Sequence, residues 1–149
     1  MAVNRIVCGI DDSDDSHAAL RFAVDEARLR DAALEVVSVY SPASAAAFPA
    51  LPSQADTEQE RKRAEATRKL IEGAVEKLGD RAEGVKLEIN PMKHSRPAVA
   101  LMERTSDADL VVVAHRGRGG FKGLRLGSVS EQLTRWARCP VVVVRPTTS

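Results

Sequence analysis

The sequence is poor in cysteine, has no long apolar run and carries almost no excess charge. Cys8 and Cys139 are the only two cysteines, too few and too far apart in sequence for a disulfide framework or a CxxC redox or zinc motif. The apolar runs are far too short to cross a bilayer, so no membrane span is expected. Lys and Arg number 22 against 21 Asp and Glu, a net charge of +1. That excludes the global basic field by which non-specific nucleic-acid and membrane-surface binders act, and neither partner is expected. The start, MAVNRIVCGI, enters an apolar strand at once, with no long leader region and no small-residue cleavage site, which predicts no signal peptide. Together with the scarce cysteine this predicts a cytoplasmic location. Catalytic signatures are missing too. There is no G-x-S-x-G elbow, no reactive-cysteine motif and no carboxylate pair with an obvious acid and base, and His17, His94 and His115 lack metal-ligand spacing.

What is present is an alternation of strand and helix patterns. The length of 149 residues and the 44% hydrophobic content suit one globular domain over residues 1–149. Arg5 to Ile10 reads as a β-branched strand ending in the acidic cluster Asp11, Asp12, Ser13, Asp14, Asp15, and Ser16 to Arg30 follows as a helix with Leu20, Ala23, Val24 and Ala27 on one face. Leu34 to Tyr40 is a second strand. Ser41 to Gln54, rich in Ala, Pro and Ser, has no periodicity and reads as a flexible segment placed to hang over a pocket. Glu58 to Leu78 is a charged helix with one apolar stripe, and Val85 to Asn90 alternates as an edge strand would. Pro97 starts a short helix reaching Arg104. Leu110 to Val113, a helix from Ser128, and Val141 to Val144 complete the chain.

Strands alternating with helices predict a parallel five-stranded sheet, doubly wound in the order 3-2-1-4-5, with helices on both faces in the Rossmann-like manner. Ligands of such sheets sit at the carboxyl ends of the strands where the winding reverses. Here those are the first and fourth strands, so the loop at Asp11 should face the loop from Ala114 to Gly127. The second of these holds Gly117, Gly119, Gly120 and Gly123 and opens a helix at Gly127-Ser128. Unpaired N–H groups at a helix start, with the helix dipole behind them, favour an anion, and phosphate is expected.

Known glycine motifs do not describe this loop. No Gly-Lys-[Ser/Thr] occurs, so a Walker P-loop is absent, and Lys122 stands where G-x-G-x-x-G needs its third glycine after Gly117 and Gly119. Gly120-Phe-Lys-Gly123 matches the G-x-x-G of a KH domain, but that motif belongs to a different fold and recurs easily by chance.

Gly117, nine residues, then Gly127-Ser128 resembles the loop of the universal stress proteins, which has the form G-x-x-G, nine residues, G-[ST]. The resemblance covers nearly the whole chain. Ile6 to Ser16 is similar to that family's first strand and D-x-S start, Pro97-Ala98 to its short helix, Ala108 to Val113 to the strand before the loop, and Cys139 to Val144 to the closing strand. It implies a small cytoplasmic α/β protein, commonly a homodimer, made under stress and binding ATP or a related adenine nucleotide. By position, the resemblance implies that Gly9, Ile10 and Asp11 border adenine and ribose, that Val39 offers backbone groups to the base, and that Val113 and Ala114 lie beside the ribose. It likewise implies a phosphate cradle of Gly117, Gly127, Ser128, Val129 and Ser130.

Three positions depart from the family pattern. Ala114 replaces its first loop glycine, which would weaken binding if φ above zero or a close ribose contact is needed there. Ser95 replaces a glycine before Pro97-Ala98, and Asp12 stands where glycine is frequent.

Alternatives remain open at several residues. Ser128 with Glu131 has the S-x-x-E form of a capping box, which would satisfy the helix start with no ligand. Asp11 either caps the first helix, accepts a ribose hydroxyl or holds a phosphate-bound Mg²⁺. Arg116, Arg118, Lys122 and Arg125 either fold over a phosphate tail or are solvated, and His115 is expected to be exposed. Cys8 reads as core. The last strand, Val141 to Val144, is an edge without a protecting charge, which predicts a homodimer through it. Three functions follow: an adenine-nucleotide-binding regulator, a slow ATPase or phosphotransfer enzyme, and a dimeric scaffold that has lost nucleotide binding through Ala114.

Overall fold

Parallel pairing is possible here because a helix joins each strand to the next and carries the chain back across the sheet. The computed structural model describes residues 2–42, 53–116 and 126–146. In chain order these form β1 (Arg5–Gly9), α1 (Asp14–Arg30), β2 (Ala33–Tyr40), α2 (Gln54–Glu76), a 3₁₀ turn (Gly79–Ala82), β3 (Leu87–Lys93), α3 (Pro97–Arg104), β4 (Leu110–Ala114), α4 (Ser128–Trp136) and β5 (Val141–Val144). The sheet runs β3-β2-β1-β4-β5, parallel at every pairing, as expected. Residues 43–52, most of the segment expected to be flexible, and the loop positions Gly117, Arg118, Gly119, Gly120, Lys122, Gly123 and Arg125 lie outside the described residues.

Each face of the sheet has its own apolar layer. Ile6, Cys8, Leu34, Val36, Leu110 and Val112 pack with Leu20, Ala23 and Val24 of α1 and with Ile71 and Ala74 of α2. On the other face Val7, Val37, Val111 and Val113 pack with Leu101 of α3 and Leu133 of α4. Burial on both faces explains why the central strands read as nearly unbroken apolar runs. Cys8 is fully buried, as expected, and burial pushes its thiol up to about 12.

Two boundaries move from their sequence positions for identifiable reasons. The edge strand runs to Lys93 rather than stopping at Asn90, and it contains Pro91. Leu34 N donates to Lys86 O and His94 N to Tyr40 O, so even-numbered residues of β3 face β2 and Pro91 turns its nitrogen to the outer edge. Its missing N–H therefore removes no ladder bond. Helix α2 starts at Gln54 rather than Glu58 because Ser53 and Asp56 form a capping box, Ser53 Oγ accepting from Asp56 N and the Asp56 carboxylate from Ser53 N.

The amino ends of the strands are tied by polar contacts. Asp109 Oδ2 accepts from Asn4 N at 2.9 Å and Arg5 N at 3.0 Å, fixing the start of β1 against β4. Nearby, Glu35 of β2, only 2% exposed, accepts from Arg5, Asn90 and Arg104. Arg28 of α1 donates to the carbonyls of Asp80, Arg81 and Glu83 and closes the 3₁₀ turn.

Candidate functional site

The carboxyl ends of β1 and β4 lie side by side where the winding reverses, Cys8 pairing with Val112. Gly9 and Val113 meet there. A Cβ built on Gly9 would lie 3.5 Å from Val113 Cγ1 and 2.7 Å from Leu101 Cδ1. Glycine at this position is thus accounted for by the close approach of α3, with or without a ligand. Ile10, 5% exposed, continues the ladder by donating to Val37 O at 2.8 Å. In a parallel ladder alternate residues face the same neighbour, so Val39 turns its backbone N–H and C=O the way Val37 does, past the end of β1 and toward the mouth of the crevice.

The turn after β1 is built around Ser13. It is the N-cap of α1, its hydroxyl accepting from Ser16 N at 3.2 Å. Asp11 braces that cap, its Oδ1 accepting from Ser13 N at 3.1 Å and Ser13 Oγ at 2.6 Å, while Asp11 N donates to Ser16 Oγ at 3.3 Å. Asp11 therefore supports the cap instead of supplying it. Asp12 has φ of 67°, a left-handed conformation that Asp tolerates better than most residues and glycine adopts freely. Its Oδ1 lies 3.2 Å from His17 Nε2.

Across the crevice, α4 begins without a side-chain cap. Gly127 is the N-cap, with φ of −71° and ψ of 161°, and Ser128 is the first helical residue. The S-x-x-E pattern therefore forms no capping box. The frame is one residue off: Ser128 lies inside the helix, and Glu131 pairs with Arg135 at 3.0 Å. The Ser128 side is exposed, whereas Ser130 is 2% exposed and turns its hydroxyl inward to His115 O and Gly127 O, each at 3.0 Å.

Two expectations about the loop root change. Ala114 is the last residue of β4, pairs with Val144 and has no positive φ. Its methyl packs against the α1 side of the core. The alanine therefore carries no backbone strain. His115, expected to be exposed, is 8% exposed. Its N donates to Val144 O at 2.8 Å, and its O accepts from Gly127 N at 2.8 Å, which folds the residue beneath the first turn of α4. Nothing in its spacing signalled this burial, because it depends on the loop returning to the strand it left.

The described residues thus bring Gly9, Ile10, Asp11, Val113, Ala114, Gly127, Ser128, Val129 and Ser130 to one end of the sheet, with Val39 at its margin. Gly117 lies outside them. No group of three or more His, Cys, Asp or Glu suited to a metal occurs among them. A separate cleft of about 450 Å³ lies between α3 and α4, lined by Val99, Met102, Glu103, Ser106, Trp136 and Arg138. It shares no residue with the crevice.

The model of the universal stress protein family matches residues 2–145. The chain belongs to the universal stress protein family. A universal stress protein of Mycolicibacterium smegmatis is 35% identical over 141 residues, covering 95% of this chain and 45% of that protein. The chain thus spans about half the length of the curated relatives it matches. Among solved structures, UspA from Lactobacillus plantarum superposes with a TM-score of 0.79 at 22% identity, covering 97% of this chain and 99% of that one. A universal stress protein in complex with cAMP gives 0.65 at 25% identity, covering 97% and 98%. One from Archaeoglobus fulgidus in complex with dAMP gives 0.56 at 22% identity, covering 96% and 98%. The doubly wound fold is common to all of them. No helix among the described residues is long and apolar enough to cross a membrane.

Proposed function

We propose that this universal stress protein binds an adenine nucleotide, ATP foremost, in the crevice between the β1 and β4 ends and acts by nucleotide-dependent conformation or partner choice without turnover. The supporting observation is the uncapped N-terminus of α4 at Gly127, placed at the winding reversal of a fold whose relatives have been solved with cAMP and dAMP. Backbone N–H groups of Ser128, Val129 and Ser130 would receive phosphate oxygens, favoured by the helix dipole. Gly117 and Gly127 would let the backbone approach those oxygens. Base and ribose would lie toward Gly9, Ile10, Val39, Val113 and Ala114, and Asp11 would meet a ribose hydroxyl or a nucleotide-bound Mg²⁺. The acidic turn from Asp11 to Asp15 repels phosphate, which favours the α4 side for the tail. The unstrained Ala114 argues against a scaffold that has lost the ligand.

The same reading treats residues 1–149 as one cytoplasmic domain that dimerises through β5. His115 N and Val111 N bond to Val144 O and Pro140 O, so Val141 and Val143 turn their backbone groups outward along an unprotected edge. Calorimetric titration with ATP, AMP and cyclic AMP, with and without Mg²⁺, tests the nucleotide reading. Saturable binding that is lost in Gly127→Leu supports it, and no binding of any of the three overturns it. A monomer by light scattering at micromolar concentration overturns the dimer.

A further inference from the structure

In the cleft between α3 and α4, exposed apolar surface and unpaired charge coincide. Trp136, the sole tryptophan of the chain, lines the cleft while 69% exposed. Val99 and Met102 line it as well, each only partly buried. A single exposed apolar side chain is ordinary, and Leu29 on α1 is one such. A tryptophan bordering a cleft with a valine and a methionine is instead the kind of anchor that protein interfaces use. Of the charged side chains on α3, α4 and the turn to β5, Arg104 is held by Glu35 and Asp107, and Glu131 pairs with Arg135. Glu103 and Arg138 are left over. Both line the cleft and both are exposed, and among the described residues neither side chain pairs with the other or with a third. Glu103 accepts from Ser106 Oγ, and Arg138 donates to Thr105 Oγ1, through their backbones alone.

We propose that this face is a self-association surface, occupied by the same face of a second copy of the chain. A two-fold contact must be complementary to itself, because each patch meets its own image. An apolar patch that carries one free acid and one free base satisfies that demand with no other molecule. Glu103 meets Arg138 of the partner subunit, the reverse pair forms across the axis, and Trp136 leaves water in both copies. A partner of one charge sign would satisfy one of the two groups and repel the other. The contact is separate from the β5 edge, which offers backbone groups. Together the two give an assembly larger than a dimer.

Charge reversal reads the contact directly. Glu103→Arg and Arg138→Glu each set like charges against one another on both sides of the axis. Each should weaken association at least about tenfold, seen as a lower mass by sedimentation or light scattering at micromolar concentrations. The double variant Glu103→Arg with Arg138→Glu is complementary again and should regain the wild-type mass. Both side chains are exposed and unpaired, so the urea midpoints of all three variants should stay near that of the wild type. A second readout uses the wild type alone: the emission of Trp136, the only indole in the chain, should move to longer wavelength as dilution drives dissociation. Masses that neither reversal changes, or a double variant no better associated than the single ones, overturn the surface. So does an assembled wild type whose Trp136 emits as a fully solvated indole. Reversals that bring a larger wild-type assembly down to a dimer support the surface and leave the β5 pairing standing. A monomeric wild type overturns both contacts.

Discussion

Arg104 grips Glu35 in a forked contact that joins α3 to β2, Nε donating to Oε1 at 3.1 Å and Nη2 to Oε2 at 3.0 Å. Arg5 Nη2 meets the same carboxylate at 2.6 Å, and Asn90 Nδ2 completes it from β3. One buried anion thereby ties three neighbouring strands and a helix at the end of the sheet away from the crevice. Removing the carboxylate leaves two arginines facing each other, both partly exposed. Glu35→Ala should lower unfolding free energy by about 3 kcal/mol, the low end for breaking a buried pair because the arginines can reach water. Urea denaturation at pH 7 measures it.

Acid should remove the same stabilisation. Burial pushes the Glu35 carboxyl up, but hydrogen bonds from Arg104, Asn90 and Arg5 outweigh it and hold the group below its ordinary value of 4.5. A carboxyl lowered on folding stabilises fully above its unfolded value, and the effect fades as pH falls through the folded value. The stability gap between wild type and Glu35→Gln should therefore be constant above about pH 5 and narrow below it. A gap that widens on acidification would contradict the pairing.

Gly9 and Leu101 predict a coupled pair. A methyl at Gly9 would lie 2.7 Å from Leu101 Cδ1, so Gly9→Ala must displace a buried leucine, at a cost of about 1–3 kcal/mol. In a Leu101→Ala background the same change should cost markedly less. A double-mutant cycle by thermal or urea unfolding reads the coupling, and strict additivity would show that α3 does not press on this glycine.

Helix α1 ends on Asp31 at φ of 52°, its N–H donating to the carbonyls of Ala27 and Arg28. That left-handed cap suits glycine, and an aspartate there also places negative charge at the negative end of the helix dipole. Asp31→Gly should raise stability by roughly 0.5–1 kcal/mol, and Asp31→Val should lower it by about as much or more. Because the site is far from the crevice, ligand binding should be untouched by either.

The order and parallel sense of the sheet were legible because both faces are covered, so the central strands announce themselves as short apolar runs and the connections admit few arrangements. Leu110 to Val113 is such a run, and its helix-opening loop identified the crevice. Misread positions are those where a local pattern has two outcomes. Pro91 looks like a strand terminator and is harmless only on an edge whose register cannot be seen beforehand. Ser53 and Asp56 form the capping box that Ser128 and Glu131 only imitate, because Gly127 takes the capping position at α4. Glu35 carried a readable signal: a lone carboxylate within the apolar run Leu34 to Tyr40, buried on both sides, demands a partner. Which partners it finds, at positions 5, 90 and 104, is decided by tertiary packing alone.

The serines of α4 should separate stability from binding. Ser130 spends its hydroxyl inside the fold, donating to His115 O or Gly127 O. Ser130→Ala should therefore lower stability by about 1 kcal/mol, the worth of an ordinary buried hydrogen bond. His115 O keeps its bond from Gly127 N in that variant, so the loop root should persist and ATP affinity should fall only slightly. Ser128, exposed at the first helical position and making no cap, has its hydroxyl turned to no such task. Ser128→Ala should leave the unfolding midpoint within about 0.5 kcal/mol of wild type. If its hydroxyl meets a phosphate, the same variant should bind ATP several-fold more weakly and adenosine unchanged. The opposite pattern, with Ser128 carrying the stability and Ser130 the affinity, would mean that α4 turns its other side to the ligand.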